Sequence, residues 1–388
     1  MVELKHFFQP VKVRPWAHLP AEDTVSASIV HLHDLQSVSL SDFNVAIAGI
    51  DESTNSISNQ GCRLSPHLIR SFLYGLRRNS RELKVIELGN ILGASIKDKY
   101  VAIEEVTTIL AESGVPLVII GGGQDFTYPV FSGLKRHISQ PKLCFIDAMV
   151  DDFPKEEDYT SRNFISQMRQ KHQFDAGEIT FAGVQRYYNT DAHDELIESI
   201  GANVVRLGDM RGEEIHQVES YLRDCHLVSF DSCAVKHSDM PGQSIPMPNG
   251  LSSFQACQLG WYSGISDQMN VFGLFEINPE TDVTGASVML GAQIVWHVLE
   301  GVAHRYGDYP FRDIESYSQY LVYPTDYNDE IKFYCNQENN RWWVELKSGE
   351  EKKILSCSAT DYQMFNKGTI PEKWWKIINR MCCESEDN

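Results

Sequence analysis

Positive charge is in short supply in this sequence. Its 388 residues carry 34 Lys and Arg against 53 Asp and Glu, a formal charge of −19. Nucleic acid and anionic membrane surfaces both select a basic face, so neither is expected as a partner. No apolar run reaches the roughly 20 residues that a membrane-spanning helix needs. Residues 1–6 lack the apolar core of a signal peptide. The nine cysteines lie at 62, 144, 225, 233, 257, 335, 357, 382 and 383, an odd number without zinc-type spacing. A reduced, cytoplasmic chain is therefore expected. Repeats and low-complexity tracts are missing as well. What remains is a length that suits one large α/β domain with an appendage.

The most informative stretch is an apolar run that breaks abruptly into acid. Leu143-Cys144-Phe145-Ile146 reads as a buried parallel strand, and Asp147 and Asp151 follow at its carboxyl end. Two carboxylates at one buried strand end repel unless a cation lies between them. A hard cation such as Mn²⁺ or Mg²⁺ accepts such oxygens. Three more apolar runs end in polar groups. Leu117 to Ile120 leads into Gly121-Gly122-Gly123-Gln124-Asp125, and Leu227 to Phe230 into Asp231-Ser232-Cys233. Val271 to Phe275 leads into Glu276-Ile277-Asn278-Pro279. Open α/β sheets build their sites beyond such strand ends. The triple glycine lacks a following lysine at P-loop spacing and is not the dinucleotide pattern.

Further strands are expected at 44–50, 85–91, 179–185 and 203–207. Helices are expected at 65–73, with Ser65 as cap and Pro66 in the first turn, and at 126–137 and 288–304. The alternation implies a mostly parallel sheet with helices on both faces.

These motifs, in this order over residues 40 to 305, resemble the ureohydrolase family of arginase, agmatinase and formiminoglutamase. The resemblance implies a three-layer αβα fold. It also implies two Mn²⁺ ions with a bridging hydroxide, held by G-G-x-H, D-A-H-x-D and S-x-D-x-D motifs. The first histidine position falls on Gln124, and the D-A-H-x-D positions fall on Asp147, Met149 and Asp151. The S-x-D-x-D aspartates fall on Asp231 and Cys233. Glu276 falls on the glutamate of E-V-N-P that holds the guanidinium group of the substrate. A proton-shuttle histidine of the family falls on Ile165, while Lys236 and His237 stand where S-x-D-x-D-x-x-D-P has its last aspartate and proline. Three of the six ligand positions are thus replaced. The first ion would have Gln124, Asp147, Asp151 and Asp231, of which the amide is a weak neutral ligand. The second would have Met149 and Cys233 beside Asp147 and Asp231, and a thioether is a poor ligand for Mn²⁺.

Beyond residue 306 the resemblance stops. Residues 330–335 and 341–346 flank a polar turn and read as a hairpin. Pro371 to Ile378 opens a terminal helix, and the pairs Trp342-Trp343 and Trp374-Trp375 are expected to cover an apolar face of the main domain. The chain is thus divided into an N-terminal segment (1–40), a ureohydrolase-like α/β domain (40–306) and a C-terminal hairpin-and-helix extension packed on it (307–388). The expected function is that of a pseudoenzyme acting by binding or assembly, holding no metal or one weak divalent ion, Mn²⁺ by the resemblance. The rival is an active hydrolase of linear amidines or guanidines with one metal or an altered site. A guanidinium- or amidine-like ligand and a homo-oligomer are the expected partners.

Overall fold

The structure is a computed structural model that describes all residues except 1–3, 17, 154–157, 326, 328, 349–350 and 387–388. The main sheet is built from ten strands numbered in chain order. These are β1 (Phe8–Gln9), β2 (Ile29–His31), β3 (Val45–Gly49), β4 (Val85–Ile91) and β5 (Leu117–Ile120). They continue with β6 (Leu143–Ile146), β7 (Ile179–Val184), β8 (Asn203–Arg206), β9 (Leu227–Asp231) and β10 (Val271–Phe275). The order across the sheet is β1-β4-β3-β5-β10-β9-β6-β7-β8, with β2 also on β4. Every pairing is parallel except β1 on β4.

Period-two alternation explains why these runs are apolar throughout. In β5, Val118 and Ile120 face one core, while Leu117 and Ile119 face the other. The first core is closed by α1 (Ser65–Leu73), α6 (Val218–Arg223), α7 (Ser253–Gly264) and α8 (Ala286–Ala303). The second is closed by α2 (Ile96–Glu112), α3 (Thr127–Lys135), α4 (Phe164–Lys171) and α5 (Asp191–Ser199). This is the three-layer αβα arrangement. Pro66 sits in the first turn of α1 as expected, but Ser65 does not cap it. Its hydroxyl donates instead to the Cys62 carbonyl at 2.8 Å. By length and composition α8 could cross a membrane, which corrects the expectation that no segment is long and apolar enough. Within the fold 67 % of it is buried.

Residues 1–40 are tied to the main sheet rather than set apart, because β1 and β2 both pair with β4. The C-terminal part is larger than a hairpin. The expected hairpin strands are β12 (Ile331–Asn336) and β13 (Arg341–Ser348). They are flanked by β11 (Ser318–Val322) and β14 (Glu351–Cys357) in a four-stranded antiparallel sheet. Two helices follow, α9 (Ala359–Asn366) and α10 (Glu372–Glu386). Trp342 and Trp374 turn into this module's own core with Phe333, Val344, Phe365 and Ile378. Trp342 does not lie over the main domain as expected, since alternation along β13 sends Trp342 and Trp343 to opposite faces. Trp343 is the ring that meets the main domain, with the Arg223 guanidinium 4.9 Å from its centroid. Arg223 also donates to the Trp342 carbonyl at 2.9 Å, so the extension is packed on α6.

Candidate functional site

Four adjacent strands, β5, β10, β9 and β6, deliver the motif residues to one end of the sheet. Gln124 follows β5, Glu276 follows β10, Asp231 ends β9, and Asp147 and Asp151 follow β6. All five are buried. The turn after β5 needs its glycines. Gly121 and Gly122 have φ of +78° and +79°, and a Cβ on Gly122 would stand 2.5 Å from the Ile50 side chain.

The three aspartates gather without a histidine among them. Asp147 Oδ1 accepts the Met149 N–H at 3.0 Å, and Asp231 Oδ1 accepts the Cys233 N–H at 2.6 Å. Burial pushes all three carboxyls well above the usual carboxylate range, and their mutual repulsion adds to it. The Arg162 charge opposes this at Asp151.

Gln124 is oriented by its partners. With the amide nitrogen toward the acids, Nε2 lies 3.1 Å from Asp151 Oδ2 and 3.1 Å from Asp231 Oδ2, while Oε1 accepts from Ser229 Oγ at 3.2 Å. The reverse orientation would set the amide oxygen against two carboxylates. With its nitrogen toward the acids, the Gln124 amide donates to two of the three aspartates.

Cys233 lies beside Asp231 and also belongs to an apolar cluster. Ala148, Cys233 and Met247 form a small buried cluster, with Met149, Tyr188 and Ile245 packed against it. Burial pushes the Cys233 thiol well up, and the neighbouring acids push it further, so a thiolate is disfavoured. Among the described residues no group of three or more His, Cys, Asp or Glu is arranged to hold a metal ion. The donor set does not fit a two-manganese centre: one ligand position donates hydrogen bonds, and two are sulfurs in apolar packing.

Glu276 has a φ of +64°, the left-handed region that costs a non-glycine residue about 1 kcal/mol or more. Its backbone is held on three sides. Its N–H donates to the Gly122 carbonyl at 3.0 Å. Its carbonyl accepts from Ser232 Oγ at 2.9 Å and Asn59 Nδ2 at 2.8 Å. Its carboxylate is occupied too. Oε2 accepts from Ser56 Oγ at 2.5 Å and Asn59 Nδ2 at 2.7 Å, and Oε1 accepts the Gln124 N–H at 2.9 Å. Burial raises the Glu276 carboxyl, and these donors pull it back part of the way.

Of the remaining positions, Ile165 touches the site through its backbone, its N–H lying 3.4 Å from the Asp151 carbonyl. Ile165 is buried in α4. Lys236 pairs with Asp239 at 3.2 Å with its side chain 36 % exposed. His237 is tied through its backbone N–H to the Met247 carbonyl at 2.6 Å. Ser56, Asn59, Ser229 and Arg162 join the site without a family motif to mark them. Only Ser229 left a signal, as a hydroxyl inside the otherwise apolar run of β9. Asp125 is a further buried acid here: burial raises its carboxyl to about 7, the Tyr100 hydroxyl donates to that carboxyl, and the Tyr159 hydroxyl donates to its backbone carbonyl.

Comparison with known proteins bears on the fold and the family. The arginase family matches residues 43–300. A formimidoylglutamase of Lysinibacillus sphaericus is 24 % identical over 255 residues, 62 % of this chain and 79 % of that one. The mitochondrial guanidino acid hydrolase of Mus musculus is 25 % identical over 276 residues, 66 % of this chain and 76 % of that one. Among solved structures, Trypanosoma cruzi formiminoglutamase with Mn²⁺ superposes with a TM-score of 0.65 at 20 % identity. That alignment covers 70 % of this chain and 97 % of the other. Formimidoylglutamase of Bacillus subtilis gives 0.64 at 16 % identity, over 76 % and 97 % of the two chains. With this sheet, these strand-end acids and that match, the chain belongs to the arginase family.

Proposed function

We propose that this chain is a ureohydrolase-fold pseudoenzyme that acts by binding or assembly and has lost the two-manganese centre. The observation that carries the reading is that Met149 and Cys233, at two positions the family uses for its second ion, are sulfurs packed with Ala148 and Met247. Without a second ion there is no bridging hydroxide, and the usual source of a nucleophile at neutral pH is lost. Asp147, Asp151 and Asp231 would hold at most one divalent ion, and weakly. Glu276 is satisfied by Ser56, Asn59 and the Gln124 N–H, so a guanidinium- or amidine-like ligand would have to displace them. The acid excess supports a chain that avoids nucleic acid and membrane surfaces. Buried free cysteines support a reduced, cytoplasmic setting. Self-association is proposed by analogy with the family alone.

A second reading has its own support. The three aspartates stay together at neighbouring strand ends, and relatives are named for hydrolysis of formimidoylglutamate and guanidino acids. An active hydrolase with one metal or an altered site is that alternative. The test is turnover of formimidoylglutamate, agmatine, arginine and a guanidino acid by the full chain in excess Mn²⁺. No formamide or urea above background is expected. Turnover on the order of 1 s⁻¹ or faster would establish the second reading instead.

A further inference from the structure

Gln124 touches the ends of all four central strands. Its amide nitrogen meets Asp151 beyond β6 and Asp231 at the end of β9, each at 3.1 Å. Its amide oxygen takes the Ser229 hydroxyl of β9 at 3.2 Å, and that hydroxyl lies 2.8 Å from Thr127 Oγ1 in the first turn of α3. Its backbone N–H reaches Glu276, beyond β10, at 2.9 Å. The residue itself follows β5 and has no exposed surface.

We infer that Gln124 is a built-in cross-link that stands in for a cation at this end of the sheet. A primary amide has two N–H donors on one nitrogen, and here each finds a different carboxylate. A divalent ion bound through those Oδ2 atoms would sit about 2.0–2.6 Å from them. The amide nitrogen already lies 3.1 Å from both, so ion and amide compete for one space. The four strand ends are therefore tied together by protein atoms alone, and the wild-type chain does not gain stability from metal. This inference deepens the reading above, but its test is stability rather than turnover, so either can fail alone.

The variant that removes the cross-link is Gln124→Met, which keeps a similar volume and removes the N–H donors together with the carbonyl that accepts from Ser229. Full-length wild-type protein is expected to melt at the same temperature in chelator and in excess Mn²⁺. Gln124→Met is expected to melt lower by about 5 °C in chelator, and to recover part of that loss with Mn²⁺. The inference is overturned if Mn²⁺ stabilises the wild type as much as the variant, or if the variant melts like the wild type. Should the variant not fold, electron paramagnetic resonance of Mn²⁺ added to the wild type decides the matter. The signal of free aqueous Mn²⁺ is expected to persist, and its loss to tight binding would overturn the inference.

Discussion

Arg341 Nη2 lies 2.9 Å from Glu219 Oε1, joining the C-terminal sheet to α6 of the main domain. Arg223, one turn along α6, holds the same carboxylate through its Nε at 3.0 Å. Arg341 also reaches Asp308 at 3.1 Å and the Ile265 carbonyl at 3.4 Å. Its side chain is only 7 % exposed, so these contacts are largely desolvated. Breaking a buried ion pair costs about 3–5 kcal/mol. Here both acids keep other donors, so Arg341→Met is expected to cost about 2–3 kcal/mol, the lower side of that range. Hydrogen exchange should rise first in β13 and β14 while β5, β9 and β10 stay protected. Uniform loss of protection across both sheets would mean that the network carries no local role.

Asn59 offers a test of how Glu276 is held. It is fully buried, gives two hydrogen bonds to Glu276, and takes one from Asn278 Nδ2 at 2.8 Å. Asn59→Ala would strand a buried carboxylate and a side-chain N–H together. A cost of about 3 kcal/mol in urea unfolding is expected, since each unsatisfied buried group costs about 1–3 kcal/mol. A loss within about 0.5 kcal/mol, ordinary for a surface change, would show that Ser56 and Gln124 suffice.

His226 sets one part of the pH dependence. Its Nδ1 accepts the Lys142 backbone N–H at 2.9 Å, and burial lowers its pKa to about 4, with the Lys142 charge adding to the shift. The unfolded chain takes up this proton near pH 6.5, while the folded chain does not until about pH 4. Stability from the neutral ring is therefore complete above pH 6.5 and is lost as pH falls towards 4. His226→Asn keeps an acceptor and removes the titration. Unfolding free energies of the two proteins, compared between pH 7.5 and 4, should diverge by on the order of 2–3 kcal/mol, with the wild type falling faster. Parallel curves would contradict the assignment. Other titrating groups are common to both proteins and cancel.

The parts of this fold that were legible in the sequence are those with a strong period. The runs of β5, β6, β9 and β10 are buried on both faces, so each reads as a mostly apolar segment that gives way to polar residues at its carboxyl end. The short β1 and β2, two and three residues long, carry no period to read. In the C-terminal sheet β14 is Glu-Lys-Lys-Ile-Leu-Ser-Cys, too polar at its start to stand out as a strand. At the site, the residue types were legible and their partners were not. Asn59 and Glu276 are 217 positions apart, and no local pattern links them. Gln124 was read as a poor metal ligand because only the structure reveals two acceptors converging on its amide.

Restoring the family ligands tests the assignment of these positions directly. The changes are Gln124→His, Met149→His and Cys233→Asp, made together. The first removes the amide that competes for Asp151 and Asp231 and supplies a ring nitrogen at the end of β5. The other two replace sulfurs in the Ala148 and Met247 cluster with a nitrogen and an oxygen donor. In the absence of metal the triple variant is expected to be less stable than the wild type. It adds a carboxylate beside Asp231 and Asp147, whose carboxyls burial and mutual repulsion already raise. Metal relieves that repulsion, and binding to the folded state alone stabilises by about 2.7 kcal/mol at one hundred times the dissociation constant. Second-shell contacts tuned to the present residues can cost about 10- to 100-fold in affinity. A higher melting temperature with Mn²⁺ is therefore expected for the triple variant and not for the wild type, whether or not turnover appears. Equal shifts in both proteins would show that residues 124, 149 and 233 are not the ligand positions.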